Sequence, residues 1–254
     1  MWSSSFFVLY FILSLFADKS KYEVNVANGM PAKPGQFPSI VALLRYSKLH
    51  CGGTLISRIT VLTAAHCLTF TNLKELSILA GSINIRKFEK GYQKRKVKKA
   101  IVHMGFTDIH DGQCDDIALL TLDSPIDITK YVRPIAYKPV NPPVGASVEI
   151  AGWGLVKDSL PDDLQYATAS VHNVNVCPRN LIGNKEKVLC LRGSVRPYTS
   201  ARPMDSGSPA YYRGTVVGVV SRGVDFDGYG VVYTRTSYYS DFIREQFRHQ
   251  TAID

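Results

Sequence analysis

Met204-Asp205-Ser206-Gly207-Ser208-Pro209 is the stretch on which the reading of this chain turns. A serine between an acid and a glycine, ahead of a small residue and a proline, suggests a backbone bent sharply to expose one hydroxyl. A hydroxyl is a weak nucleophile at its free pKa, so it needs a base beside it and donors for an oxyanion. The same six residues also suit an ordinary glycine- and proline-rich surface turn. The choice between the two depends on what lies upstream.

Two landmarks bear on it. Thr63-Ala64-Ala65-His66-Cys67 sets a histidine beside small alanines, which leave room for a neighbour at the imidazole. A histidine in an apolar segment is usually a hydrogen-bonded core residue, but one held rigidly suits a general base. Asp115-Asp116-Ile117-Ala118-Leu119-Leu120 opens a strongly apolar strand with acid. A carboxylate buried there needs a partner, and an imidazole N–H is a suitable one.

The 254 residues allow one large or two small domains, and 45% hydrophobic with 20% charged residues places the chain among ordinary globular proteins. A net charge of +9 favours acidic partners: glycosaminoglycan, an acidic protein surface, or nucleic acid nonspecifically. Phe6 to Phe16 is an apolar run of signal-peptide size, with Ala17 as the last signal residue; a retained anchor is the alternative. With no later membrane-spanning stretch, the expectation is a secreted protein. Secretion makes the five cysteines disulfide candidates, and the odd count leaves at least one unpaired or paired between molecules; Cys114 is expected in that role.

Short β-type runs fill the chain: Ser39–Leu44, Thr54–Ile56, Thr60–Thr63, Ile78–Ala80, Val97–Val102, Ile117–Leu122, Ser147–Ala151, Ala167–Val176, Lys187–Leu191, Gly214–Ser221 and Gly230–Thr234. Gly, Pro, Asn and Asp punctuate them, as in a sandwich or barrel. Helical period appears only near the end, where Tyr238, Phe242, Ile243 and Phe247 fall on one face. The proline-rich 134–143 stretch is the candidate link between two halves.

Taken with Cys51-Gly52-Gly53-Thr54-Leu55-Ile56, Ala151-Gly152-Trp153-Gly154, Val217-Gly218-Val219-Val220-Ser221 and Val232-Tyr233-Thr234-Arg235, these landmarks resemble the chymotrypsin-type (trypsin-like) serine peptidases, from about Val26 to the C-terminus and in the family's order. The resemblance implies an all-β fold of two six-stranded Greek-key barrels with a C-terminal α-helix. Its divisions would be a signal peptide (1–17), a short propeptide (18–25), an N-barrel over about 26–140, a C-barrel over about 141–236 and a helix over about 237–248. It implies Ser206 as nucleophile, His66 as general base and then acid, and Asp116 orienting the imidazole with Ser221 beside it. The N–H groups of Met204 and Ser206 would form the oxyanion hole. Disulfides Cys51–Cys67 and Cys177–Cys190 are implied, and so are protein or peptide substrates, no cofactor or metal, no membrane and a monomeric enzyme.

The departures carry information of their own. Met204 stands where the family has glycine, in a backbone shape glycine reaches most easily. Val26-Ala27-Asn28-Gly29 falls where the family's mature chain begins, so a freed Val26 ammonium would pair with Asp205; a trypsin-like activator would not cut after the preceding Asn25, which leaves an asparaginyl-specific cut or no activation. In the specificity pocket Ser200 lies at the base, Arg222 replaces the usual tryptophan, Val231 stands where glycine is common, and the flanking disulfide is missing, with Arg202 at one position and no cysteine from Gly223 to Tyr229. Non-tryptic specificity for a small apolar residue follows, or no productive substrate. In the second case the chain resembles mite group 3 allergen-like, inactivated protease paralogues, which bind or regulate host-defence proteases or complement.

Arg86, Lys87, Lys90, Lys94, Arg95, Lys96, Lys98 and Lys99 form a basic run opposed only by Glu89. It reads as a solvated loop and strand edge, or as an exosite for a heparin-like or acidic protein surface. Nothing like a nucleic-acid-binding fold accompanies it. His110-Asp111-Gly112-Gln113-Cys114-Asp115 has no recognised zinc spacing.

Overall fold

The computed structural model describes residues 29–107, 115–154, 161–177, 184–193, 201, 204–222 and 230–251, with backbone alone for 246–251. β1 (Met30–Pro31) is followed by β2 (Ile40–Arg45), β3 (Lys48–Leu55), β4 (Thr60–Thr63), β5 (Leu76–Ala80), β6 (Gln93–Val102) and β7 (Ala118–Leu122). The last six close into an antiparallel barrel in the order β2-β3-β4-β7-β6-β5. β8 (Ser147–Gly152), β9 (Gln165–His172), β10 (Val188–Gly193), β11 (Pro209–Tyr212), β12 (Thr215–Arg222) and β13 (Val231–Arg235) follow. They run β9-β10-β13-β12-β11-β8, and β8 pairs back onto β9 to close a second barrel. β1 adds to the outside of β9, with Met30 opposite Tyr166, so the start of the described chain straps onto the second barrel.

Residue chemistry accounts for these elements. β9 alternates buried and half-exposed residues, the period expected of a strand with one face on a barrel core. β2 and β5 carry Ile, Val and Leu in nearly unbroken runs and are buried along almost their whole length. One apolar cluster joins first-barrel residues such as Leu43, Leu55 and Leu120 to Trp153, Val219 and Ile243, so the seam between the barrels is itself core.

The expected strands form, with two additions, one shortening and two that begin earlier than expected, β3 at Lys48 and β6 at Gln93. β1 and β11 escape sequence reading because they are short, and β11 opens on proline. The 167–176 run divides: β9 stops at His172, and Asn173 accepts a side-chain hydrogen bond from the Asn175 N–H to start a short 3-10 turn. The C-terminal helix α1 spans Ser240–Thr251. Tyr238 precedes it and is exposed, so the expected buried face is corrected: Tyr239 takes that place beside Ile243, and the Phe247 side chain lies outside the described residues. The signal and propeptide regions, Val26, Cys114, Ser200, Arg202 and Gly223 also lie outside them.

Candidate active site

Strand register brings the first two site residues together. β4 pairs antiparallel with β7, with Thr63 opposite Ala118. Two residues before Ala118 stands Asp116; just past Thr63 the chain enters a 3-10 turn, Ala65–Leu68, that carries His66. The imidazole Nδ1–H donates to Asp116 Oδ2 at 2.8 Å, and the His66 backbone N–H donates to Oδ1 at 2.9 Å. The Cys51–Cys67 disulfide ties the turn to β3 with Cα atoms 6.3 Å apart. Both sulfurs are committed to that bond, so the grouping of Cys51, Cys67 and His66 offers no thiolate to a metal.

Asp116 is fully buried while the His66 side chain keeps 18% of its surface exposed. Two second-barrel residues complete the aspartate's surroundings. The Ser221 hydroxyl donates to Oδ2 at 2.6 Å, and the Thr234 hydroxyl donates to the Asp116 carbonyl at 2.8 Å. Ser221 reaches it from a bulge in β12: Val220 faces Tyr233 and Arg222 faces Val232, leaving Ser221 as the extra residue. Bulges re-aim single side chains in this way.

Ser206 comes from the second barrel, just before β11, and is half-buried. Its carbonyl accepts from the Gly52 N–H at 2.7 Å, while the Gly52 carbonyl accepts from the Thr63 hydroxyl at 2.8 Å. Gly207, at φ +80°, lies against Thr63, and a Cβ there would run into the Thr63 hydroxyl oxygen. Gly52 sits as close to Ser208, whose hydroxyl oxygen a Cβ would strike. The serine loop is therefore pressed onto the strand end that leads to His66. The Ser208 N–H donates to the Asp205 carbonyl at 2.8 Å, and the Gly207 N–H donates to Val220 at 2.9 Å, closing the turn onto β12.

Met204 has φ +77°. A residue with a side chain reaches this left-handed region at a cost of roughly 1–2 kcal/mol, so the glycine-like shape expected at this position is adopted by methionine. Among the described residues, neither the Met204 N–H nor the Ser206 N–H donates to a protein acceptor. Asp205 is buried, and its Oδ1 accepts from the Gly154 N–H at 2.7 Å. Arg222 and Val231, both expected in the specificity pocket, are buried at the ends of β12 and β13. The second disulfide, Cys177–Cys190, is formed with Cα atoms 5.8 Å apart.

Sequence reasoning passed over one cluster behind this site. Asp115, next to Asp116, is buried with Oδ1 at 2.6 Å from the Lys187 ammonium and accepting from the Tyr239 hydroxyl at 2.8 Å. Its Oδ2 lies 3.3 Å from His103 Nδ1, and the His103 ring packs edge-on against Tyr239 and Phe242. Burial holds the His103 pKa below the ordinary imidazole value, opposed by Asp115 and assisted by Lys187. The signal was present: two consecutive acids entering an extended apolar segment point to opposite sides, so each needs its own partners.

A fully buried carboxylate on an imidazole, with a half-exposed serine pressed toward them across two closed barrels, marks the serine endopeptidase class. The chain belongs to the trypsin family, whose model matches residues 26–243. It is 31% identical over 237 residues to mouse (Mus musculus) kallikrein 1-related peptidase b11, covering 88% of each chain. With serine protease SP24D of Anopheles gambiae it shares 32% over 232 residues, 88% of this chain and 82% of that one. The solved structure of neuropsin, a serine protease expressed in the limbic system of mouse brain, superposes with a TM-score of 0.77 at 27% identity, over 86% of this chain and 98% of the other.

Proposed function

We propose that this chain is a secreted endopeptidase that cleaves peptide bonds through an acyl-enzyme on Ser206. The observation that carries this reading is the hydrogen-bond set on Asp116, which receives the His66 ring N–H, the His66 backbone N–H and the Ser221 hydroxyl. With Nδ1–H committed to Asp116, the His66 Nε2 lone pair is left to take the proton from the Ser206 hydroxyl as its oxygen attacks the scissile carbonyl. The same proton then passes to the leaving amine, and water repeats the sequence to release the acid. The Met204 and Ser206 N–H groups receive the oxyanion, in keeping with their lack of acceptors among the described residues. A freed Val26 amine would pair with Asp205.

Specificity in this reading is non-tryptic. Ser200, which the resemblance assigns to the pocket base and which lies outside the described residues, supplies no carboxylate for Lys or Arg, and in this reading Val231, buried at the start of β13, narrows the pocket toward small apolar residues. Among the described residues no helix is long and apolar enough to cross a membrane. The test is labelling by a fluorophosphonate probe on protein whose N-terminus has been sequenced, followed by peptide-library profiling. The expected result is one labelled site, abolished by Ser206→Ala, and cleavage after small apolar residues. Correctly processed protein that resists the probe would sink the reading.

A further inference from the structure

β6 places its basic residues in an unusual setting. It pairs with β5 on one side and β7 on the other in a closed barrel, so its lysines do not guard an open sheet edge. Lys94 and Lys96, two residues apart on one face and so about 7 Å from each other, are exposed. Lys74, which lies outside the basic run in sequence, joins them along a groove of about 730 Å³. The other wall is the β2–β3 turn, Tyr46-Ser47, and Lys94 Nζ donates to the Ser47 hydroxyl at 3.2 Å.

The charges of the run divide into two kinds. Arg86 is paired with Asp162 at 2.7 Å, and Arg95 with Asp127 at 3.6 Å. Among the described residues none of Lys74, Lys94 and Lys96 is ion-paired. Of the groove's two acids, Glu75 is neutralised by Arg45 at 2.8 Å, and Asp123 accepts from the Lys96 backbone N–H and the Ser124 hydroxyl. The groove is thus net cationic, with Asp123 as its remaining negative point.

Its rim is apolar. Tyr46 is 68% exposed and Phe70 96%. Phe70 adjoins the groove through Arg45, whose guanidinium donates to the Phe70 carbonyl at 3.4 Å and to Glu75. Of the five non-glycine residues with positive φ among the described residues, Tyr46 and Ser47 line the groove and Phe70 adjoins it through Arg45. Strained backbone of this kind persists where surrounding structure holds it, and it collects at binding sites. Phe70 also lies just past the 3-10 turn that carries His66.

We infer that this groove docks an acidic polypeptide segment, with carboxylates against Lys74, Lys94 and Lys96 and an aromatic or aliphatic side chain against Phe70 and Tyr46. A sulfated polysaccharide has no use for a fully exposed phenylalanine, and its dense charge would meet Asp123. A peptide can space its carboxylates to avoid it. Binding goes beyond the proposed hydrolysis and does not depend on it.

The experiment uses the full chain carrying Ser206→Ala, so that a bound probe survives whether or not the natural protein cleaves it. The probe is a short fluorescent peptide of aspartate and glutamate with one phenylalanine at its N-terminal end. Expected are saturable binding that weakens with salt, a loss of about tenfold or more on replacing Lys74, Lys94 and Lys96 together by Glu, and a smaller loss with Phe70→Ser. The Lys87→Glu, Lys90→Glu pair serves as control and leaves binding unchanged. The same triple replacement by Gln, with melting temperature recorded, separates lost charge from lost fold. No binding, or equal loss in the control, overturns the inference. Heparin that binds more tightly than the peptide and ignores Phe70→Ser also overturns it, in favour of a polysaccharide.

Discussion

The two barrels contribute to the candidate site by different means. On the first, His66 and Asp116 stand at the ends of paired strands and are fixed by side-chain hydrogen bonds, two of which come across the seam from Ser221 and Thr234. On the second, Ser206 stands in a turn shaped mainly by backbone conformation, between Met204 at φ +77° and Gly207 at φ +80°, with the Asp205 carboxylate accepting from the Gly154 N–H. The first arrangement fails when a functional group is removed, because a buried polar atom then loses its partner. The second fails when a backbone conformation becomes too costly, and it can be relieved by removing a side chain. Chemistry holds one half, and geometry the other.

The comparison breaks most sharply at Asp116. On the proposed mechanism Asp116→Asn preserves shape but presents an amide to the His66 ring, turning its tautomer, and kcat should fall about 10⁴-fold with the melting temperature nearly unchanged. A fall of tenfold or less, measured on a peptide substrate that the natural protein cleaves, would show that the His66–Asp116 contact is structural. Next in size is Asp115. Asp115→Leu strips Lys187, Tyr239 and His103 of a shared partner and should destabilise by about 1–3 kcal/mol, read by urea unfolding. A neutral result would mean that Lys187 relaxes freely into water. Ser221→Ala removes one charge-assisted bond from the Asp116 carboxylate, and kcat/KM should drop about tenfold with KM little altered. A change confined to KM would place Ser221 in substrate binding instead.

For the second barrel the expected sign reverses. Met204→Gly removes the steric objection to positive φ, so the protein should gain about 1 kcal/mol from the relieved strain, less the extra flexibility glycine brings to the unfolded chain. Reactivity of Ser206 toward the fluorophosphonate probe should hold or rise. Loss of both would mean that the methionine side chain props the turn, and would erase the contrast between the halves.

How far each half can be read from sequence follows the same division. Strand ends, the cysteines, the buried acid and the apolar alternation are all local signals, and with them the placement of His66 beside Asp116 was legible. Side-chain bonds across the seam were legible only in part: Ser221 was expected at Asp116, whereas Thr234 and the Lys187–Tyr239–His103 cluster join residues far apart in sequence, with no local period to announce them. The basic run shows the limit best. Sequence groups Lys94 and Lys96 with Arg86 and Lys87, but folding pairs Arg86 with Asp162 and brings Lys74 in from another element. α1 erred by one residue because Tyr238 and Tyr239 are chemically alike, and only packing against Ile243 and His103 distinguishes them.

The smallest expected effect belongs to His103. Its Nδ1 accepts from the Gly105 N–H at 3.1 Å, so the folded state holds a neutral ring with its proton on Nε2. Burial lowers the folded pKa, Lys187 lowers it further, and Asp115 Oδ2 opposes both. Between that lowered value and about 6.5, the ordinary value that the unfolded chain regains, the unfolded state binds more protons than the folded one. Stability therefore rises with pH across this window. The contribution is complete above about 6.5 and is lost as pH falls through the folded value. His103→Phe keeps ring contacts with Tyr239 and Phe242 while deleting the titration. The variant should show a smaller drop in melting temperature than the natural protein between pH 7.5 and pH 5.5, since all other titrating groups are common to both. A variant that loses as much over that range, or more, would mean that Asp115 wins the contest at Nδ1 and that His103 is held protonated, making the cluster a three-charge network in place of a half-buried Lys187–Asp115 pair.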